Sequence, residues 1–207
     1  MKAGAGIGAP YGAAYRALHH YARGRAGEIL LVHGASGGVG IASVQMARAM
    51  GLTILGTAGT AKGLELARRE GAHHVFDHTK PEYREEILKA TGGRGADLIL
   101  EMYAHVNLAH DLKLLAHQGR VVVMGSKGDV TISPRDLLTR WGSILAFTLW
   151  GVTEAEEAEI HAGLVAGLEN GNLRPVVGKE LPLAEASRAH KEILEPGAFG
   201  KIILINK

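Results

Sequence analysis

The chain has 207 residues, with 46% hydrophobic and 21% charged residues and a formal net charge of +2. Basic and acidic residues are mixed along it, which gives no dedicated nucleic-acid or membrane-binding face. There is no cysteine, which excludes disulfides, thiolate nucleophiles and cysteine-ligated zinc. No apolar run reaches the ~18 residues of a membrane helix, and no charged-then-apolar leader opens the chain, so a cytoplasmic location is expected.

In chain order, short β-branched runs alternate with longer helical patterns, the signature of a parallel sheet covered by helices. A helix is expected over 10–21, with Pro10 suited to a first turn. Glu28 to His33 is a nearly continuous apolar run, as a strand buried on both faces requires. An alanine-rich helix follows over 37–50, then a strand over 53–57, a helix over 62–69 ended by Gly71, and a strand over 74–77. Residues 81–90 form a helix with a charged outer face. The second half repeats the rhythm with a strand over 97–102, a helix over 107–116 and a strand over 120–124 closed by Gly125. A connecting segment with a short helix spans 131–141, and a sixth strand spans 143–149. Thr153 caps a helix over 154–168. From about Leu173 the alternation lapses into a short extended piece, a helix over 183–194 and a final strand over 201–205. The pattern predicts an α/β fold, a doubly wound parallel six-stranded sheet in the order 3-2-1-4-5-6. It divides the chain into a unit over 1–172 and a tail over 173–207.

Chemistry enters between the first strand and the next helix, at Gly34-Ala35-Ser36-Gly37-Gly38-Val39-Gly40. Glycines there let the backbone turn sharply and approach a pyrophosphate, while amide hydrogens at the helix start point at the anion. Gly37 allows the close approach, and Gly40 the packing of helix on strand. Ala35 occupies the first position of the usual G-x-G-x-x-G pattern, so the spacing is Gly34-x-x-Gly37-x-x-Gly40. Strand order and turn together define a Rossmann dinucleotide-binding domain. The second strand ends in Gly56-Thr57-Ala58-Gly59-Thr60-Ala61-Lys62, with no acid before Glu65. An acid there would grip the ribose of NAD and repel a 2′-phosphate, so backbone and hydroxyls around Gly59 favour NADPH. Lys62 reads equally as a phosphate partner or as an exposed helix lysine.

These motifs resemble the zeta-crystallin type of quinone oxidoreductase in the medium-chain dehydrogenase/reductase family. The resemblance is carried by PYGAAYRAL from Pro10, VHGASGGVG from Val32, GTAGT from Gly56 and GAHHVFDH from Gly71. It continues through EMYAHVNL from Glu101, GRVVVMGSKG from Gly119 and GKIILI from Gly200, colinear over nearly the whole chain. It implies NADPH-dependent, zinc-independent reduction of quinones, with enone or enal double-bond reduction as the neighbouring activity. It places Ser36, Gly37, Gly38 and Val39 at the pyrophosphate, and Gly59 and His78 at the adenosine phosphate end. Asn107 falls beside the ribose and adenine, Met124, Gly125, Ser126 and Lys127 along the cofactor, and Phe147, Thr148 and Leu149 near the nicotinamide. Taken alone, His78 reads as a surface or capping residue and Asn107 as a helix cap.

The family's N-terminal catalytic lobe has no counterpart in this chain, and the tail from Leu173 matches the piece that completes that GroES-like lobe. Exposed apolar surface is therefore expected around Ile202, Ile203 and Leu204. In the family the sixth strand pairs with its copy, so a homo-oligomer through 143–149 is expected. Zinc-dependent relatives carry a cysteine where this chain has Ala9, and the pairs His19-His20 and His73-His74 diverge, so no metal is expected. No residue is assigned as a catalytic acid or base, because His33 and Glu101 read as structural. The reading from a different class is a non-catalytic module that binds NADPH or RNA. Near-neutral charge and few aromatics weigh against RNA.

Overall fold

The computed structural model describes residues 2–206. Six strands form one parallel sheet: β1 (Ile29–Val32), β2 (Thr53–Ala58), β3 (His74–Asp77), β4 (Ala96–Glu101), β5 (Leu115–Val123) and β6 (Ser143–Ala146). Their order is β3-β2-β1-β4-β5-β6, as the alternation of elements predicts. The helices are α1 (Gly8–Tyr15), α2 (Gly38–Ala49), α3 (Ala61–Arg69), α4 (Tyr83–Ala90), α5 (Ala104–Leu114), α6 (Pro134–Arg140), α7 (Glu154–Glu169) and α8 (Ala186–Glu192). The rod begun by α1 continues without a break as a wider π-helical turn over Arg16–Tyr21.

The sheet sits between two apolar layers because side chains alternate along each central strand. Leu30, Val32, Ile54, Leu98, Leu100 and Val122 face the layer that holds Tyr11 and Leu18, Val44 of α2, and Ile160 and Leu164 of α7. Leu31, Leu55, Ile99 and Val121 face Ile87 of α4 and Leu108 and Leu112 of α5. Leu31 pairs with Leu55 on one side and Ile99 on the other, so the central strands carry one apolar row. Each such side chain contributes about 1.5–3 kcal/mol by leaving water. This double burial explains why the strands read as unbroken apolar runs.

Several boundaries differ from expectation. Helix α5 starts at Ala104 and ends at Leu114, and β5 starts at Leu115. The early part of β5 pairs Ala96 with Leu115, then shifts register to Leu98 with Arg120. The positive φ of Gln118, 60°, marks the irregularity. Strand β6 stops at Ala146, so residues 147–149 leave the sheet. The expected helix over 183–194 is a 3-10 turn at Leu183–Glu185 followed by α8.

The tail forms a separate two-stranded parallel sheet, β7 (Val177–Pro182) with β8 (Lys201–Ile205). It is tied to the main sheet's glycine turn by a bridge between Gly37 and Gly200, in which the Gly200 amide donates to the Ser36 carbonyl at 2.8 Å. The expected exposure around residues 202–204 is corrected at Ile203, which is 3% exposed, whereas Leu204 points outward at 37%. Alternation along β8 accounts for the difference.

Candidate functional site

The glycine turn is set by contacts that tolerate no side chain. Gly34 has φ +63°, a left-handed conformation that favours glycine. A Cβ on Gly40 would lie 2.2 Å from the Gly34 carbonyl oxygen, so α2 packs directly on the strand-to-turn backbone. A Cβ on Gly56 would meet that of Ala35 at 2.8 Å, which brings β2 equally close. Thr57 fixes the turn from β2: its hydroxyl accepts from the Gly34 amide at 3.2 Å, and its carbonyl accepts from Ala35 at 2.8 Å. The Gly37 amide is spent on the Gly34 carbonyl at 3.0 Å. Gly38 and Val39 open α2, where first-turn amides have no helical acceptor of their own and favour an anion.

These amides border a cleft of about 690 Å³ at the carboxyl ends of the strands, where open α/β sheets bind ligands. Gly59, His78, Met102, Tyr103 and Lys127 line its sheet side, and tail residues 193–198 line the other. Ser36 joins the two sides, because its hydroxyl donates to the Ala198 carbonyl at 2.7 Å. An adjoining pocket of about 320 Å³ is lined by His33, Thr57, His78, Tyr83, Arg84 and Asn107. A Cβ on Gly59 would lie 2.7 Å from His78 Nε2, so the missing side chain makes room for that ring. Burial pulls the His78 imidazole below its ordinary pKa, and nearby His33 adds to the effect.

The structure thus gathers Ser36, Gly37, Gly38, Val39, Gly59, His78 and Lys127 around one cleft and Asn107 at its neighbour. Asn107 lies inside α5, so a helix-cap role is corrected; its amide instead donates to Glu101 Oε1 at 3.4 Å. Lys62 is exposed on α3 and lies outside both linings, and Thr60 caps that helix by accepting from Gly63 at 3.0 Å. Met124, Gly125 and Ser126 lie outside both linings; the Gly125 carbonyl holds the start of α5 through Ala104 at 2.9 Å. Phe147, Thr148 and Leu149 also lie outside, packed toward α1 and its π-helical turn. Sequence reasoning missed the tail segment 193–198 of the cleft, and also Met102 and Tyr103 beyond β4. Pro196-Gly197 signals a turn, but nothing local says where that turn docks.

A cavity of about 710 Å³ opens at the opposite end of the sheet, beside Arg23, Arg25, Glu28, Asp97 and Arg120. Both acids there are paired: Arg120 grips Glu28 at 2.8 Å and Arg94 grips Asp97 at 2.6 Å. The cavity lies at the strand amino ends, whereas open α/β sheets bind ligands at the carboxyl ends.

Behind the adjoining pocket, three ionisable groups are buried together. His33 Nε2 lies 2.8 Å from Asp111 Oδ1 and 3.6 Å from Glu101 Oε2. They are the one group among the described residues with three metal-type donor atoms inside 4.8 Å. The 2.8 Å spacing of His33 and Asp111 is that of a hydrogen bond. Burial pulls the His33 pKa down, but Asp111 and then Glu101 outweigh it and raise it overall. Burial pushes Glu101 up to about 7, with Asp111 reinforcing and His33 opposing. Glu101 Oε2 and Asp111 Oδ2 have no hydrogen-bond partner among the described residues. Sequence reasoning found His33 and Glu101 but not Asp111, whose place on α5 reads as ordinary helix polarity.

A doubly wound parallel sheet in this order, with a glycine turn opening a helix beside a cleft at its carboxyl edge, defines a Rossmann dinucleotide-binding domain. The family model described as zinc-binding dehydrogenase matches residues 38–162, and the chain belongs to that family. It has no cysteine to offer a zinc ion. The quinone oxidoreductase of Homo sapiens is 51% identical over 206 residues, covering 99% of this chain and 63% of that protein. Among solved structures, the Thermus thermophilus quinone oxidoreductase, determined also in complex with NADPH, is 35% identical with a TM-score of 0.84. That match covers 98% of this chain and 66% of that one. The Escherichia coli quinone oxidoreductase complexed with NADPH is 25% identical with a TM-score of 0.85, covering 96% and 64% of the two chains. The chain therefore spans about 63% of the length of the curated relatives it matches.

Proposed function

We propose that this chain is the NADPH-binding unit of a zinc-independent quinone reductase. The observation that carries the proposal is the cleft of about 690 Å³ bordered by the glycine turn, whose backbone is set by the positive φ of Gly34 and the contact of Gly40 with it. The cofactor fits it physically. The Gly38 and Val39 amides, aided by the dipole of α2, would hold the pyrophosphate. Gly59 and His78 would take the 2′-phosphate end, since the segment that follows β2 carries no acid before Glu65. Asn107 would meet the ribose and adenine, Met124 to Lys127 would follow the cofactor, and Phe147 to Leu149 would approach the nicotinamide. When bound, NADPH supplies a hydride equivalent to the acceptor.

The quinone assignment is supported by the named activities of the relatives, and enones are the acceptor class to test beside it. We assign residues 1–172 to cofactor binding and residues 173–207 to a segment that completes a second lobe. The outer edge of β6 is unpaired in the sheet, and Leu138 and Trp141 nearby are exposed, which supports a homo-oligomer built on that edge. Among the described residues no helix is long and apolar enough to cross a membrane. A cysteine-free chain suits the reducing cytoplasm.

Calorimetric titration with NADPH and NADH tests the assignment. A charge-assisted contact to the 2′-phosphate predicts about tenfold or greater preference for NADPH. Equal affinities would remove the NADPH assignment, and no binding of either would remove the function. Oxidation of NADPH with ortho-quinones against enones then separates the two acceptor classes. RNA that displaces NADPH, with binding that weakens steeply in salt, would favour the non-catalytic module.

A further inference from the structure

Arg16 is a long cation in an apolar place. The residue is 4% exposed, and its guanidinium lies 5.2 Å from the Phe147 ring centroid and 5.5 Å from that of Tyr21. Those two rings stack at 4.7 Å, so the guanidinium and both aromatics form one packed group. Its polar partners are few. Arg16 Nη1 donates to the Thr148 carbonyl at 2.6 Å, Nη2 reaches the Tyr21 hydroxyl at 3.5 Å, and Glu156 stands 3.7 Å away. Its Nε is buried without a partner among the described residues. The Thr153 backbone amide, followed by its hydroxyl, holds the Glu156 carboxyl below its ordinary pKa, so that group stays charged but is shared with the start of α7.

Stability alone does not explain this choice of residue. A buried, half-satisfied charge costs desolvation energy, and an apolar side chain of similar volume often serves a core as well or better. What an apolar residue lacks is a donor for a main-chain carbonyl. Strand β6 ends at Ala146, so residues 147–149 lie beyond its ladder with β5. Arg16 replaces that ladder at Thr148. It fixes the peptide plane between Thr148 and Leu149, and its contact with the Phe147 ring fixes the residue before. The Leu149 side chain lies over Gly12 of α1, where an added Cβ would make ordinary contact at 3.7 Å with Leu149 Cδ1.

We propose that Arg16 is a positioning residue for the nicotinamide half of the cofactor, acting through the backbone of Phe147 to Leu149. This rests on the NADPH assignment above and on the place given to that segment. Arg16 would not touch the cofactor; it would aim the amide and carbonyl groups of residues 147–149 that would hold the carboxamide. The adenine end lies at Gly59, His78 and Asn107, on other elements, and does not depend on it.

The test compares NADPH with adenosine 2′,5′-bisphosphate, which carries the adenine end and no nicotinamide, by calorimetry on the full chain. Wild type should bind NADPH more tightly than the fragment. Arg16→Met should weaken NADPH about tenfold and leave the fragment within about twofold of wild type. Arg16→Lys should fall between, because an ammonium keeps the charge but loses the planar fork. A general structural role would weaken both ligands together, and thermal melts of each variant establish that it is folded. If Arg16→Met does not fold, Arg16→Lys decides the same comparison. Parallel losses for the two ligands, or no loss for either, would overturn the role of Arg16 alone. Wild type binding neither ligand would overturn the NADPH assignment itself, and wild type binding both equally would overturn the nicotinamide role of residues 147–149.

Discussion

Replacing Glu101 by glutamine should remove a pH dependence of stability that the buried cluster creates. Glu101 is fully buried, its pKa is pushed up to about 7 by burial and by Asp111, and its ordinary value is 4.5. A carboxyl that holds its proton more tightly in the fold stabilises the fold most below about pH 4.5. That contribution is lost as pH rises to and through about 7. The gap corresponds to about 3 kcal/mol. His33 has the same sign, with its contribution complete below its ordinary 6.5 and lost above its raised value. His19, His73, His78 and His110, all lowered chiefly by burial, have the opposite sign across the same window. The difference between variant and wild type cancels the effects of those four histidines, and any loss of the Glu101 contribution to His33 has the same sign as the Glu101 effect. In Glu101→Gln the amide oxygen still accepts from Tyr103, and the amide nitrogen can donate to the open Asp111 Oδ2. Urea unfolding at several pH values should show the variant gaining on wild type by about 3 kcal/mol between pH 4.5 and 8. A difference that stays constant across that range would refute the raised pKa of the buried Glu101 carboxyl.

Two further outcomes test the turn and its tail. Gly40→Ala places a methyl 2.2 Å from the Gly34 carbonyl oxygen, so it should cost about 3 kcal/mol in urea unfolding and abolish tight cofactor binding. A cost under about 0.5 kcal/mol would mean that α2 is not pinned by backbone contact. Ser36→Ala removes the hydroxyl that donates to Ala198, so amide hydrogen exchange over residues 197–200 should quicken while the central strands stay protected. Unchanged exchange would show that the tail is held without that bond.

The sheet was legible in the sequence because its central strands are buried on both faces. Ile29 to Val32 and Leu98 to Leu100 are the apolar runs expected where neither face meets water. The glycine turn was legible because backbone-to-backbone approach at Gly40 and positive φ at Gly34 admit few other residues. The start of α5 was not, since Tyr103 at its N-cap makes no side-chain capping bond that a sequence could advertise. Early pairing of β5 was hidden by Gln118 and Gly119, which look like a turn but form an irregularity within the strand. The tail side of the cleft was invisible because Ser36 meets Ala198 across 162 residues, with no local pattern to mark the contact. Arg16 and Asp111 were missed for the opposite reason. Each is a polar residue on a helix, and helical periodicity alone does not tell a buried cation or carboxylate from a surface one.

The central claim is that first-turn amides of α2 receive the cofactor's pyrophosphate. Nitrogen-15 amide spectra of the labelled chain during NADPH titration test it residue by residue. The largest shifts are expected at Gly38 and Val39, with others at Gly59 and His78 and none at Glu28 or Arg120 on the far side of the sheet. Shifts concentrated at Arg23, Arg25 and Arg120, or a glycine turn that does not respond, would contradict it.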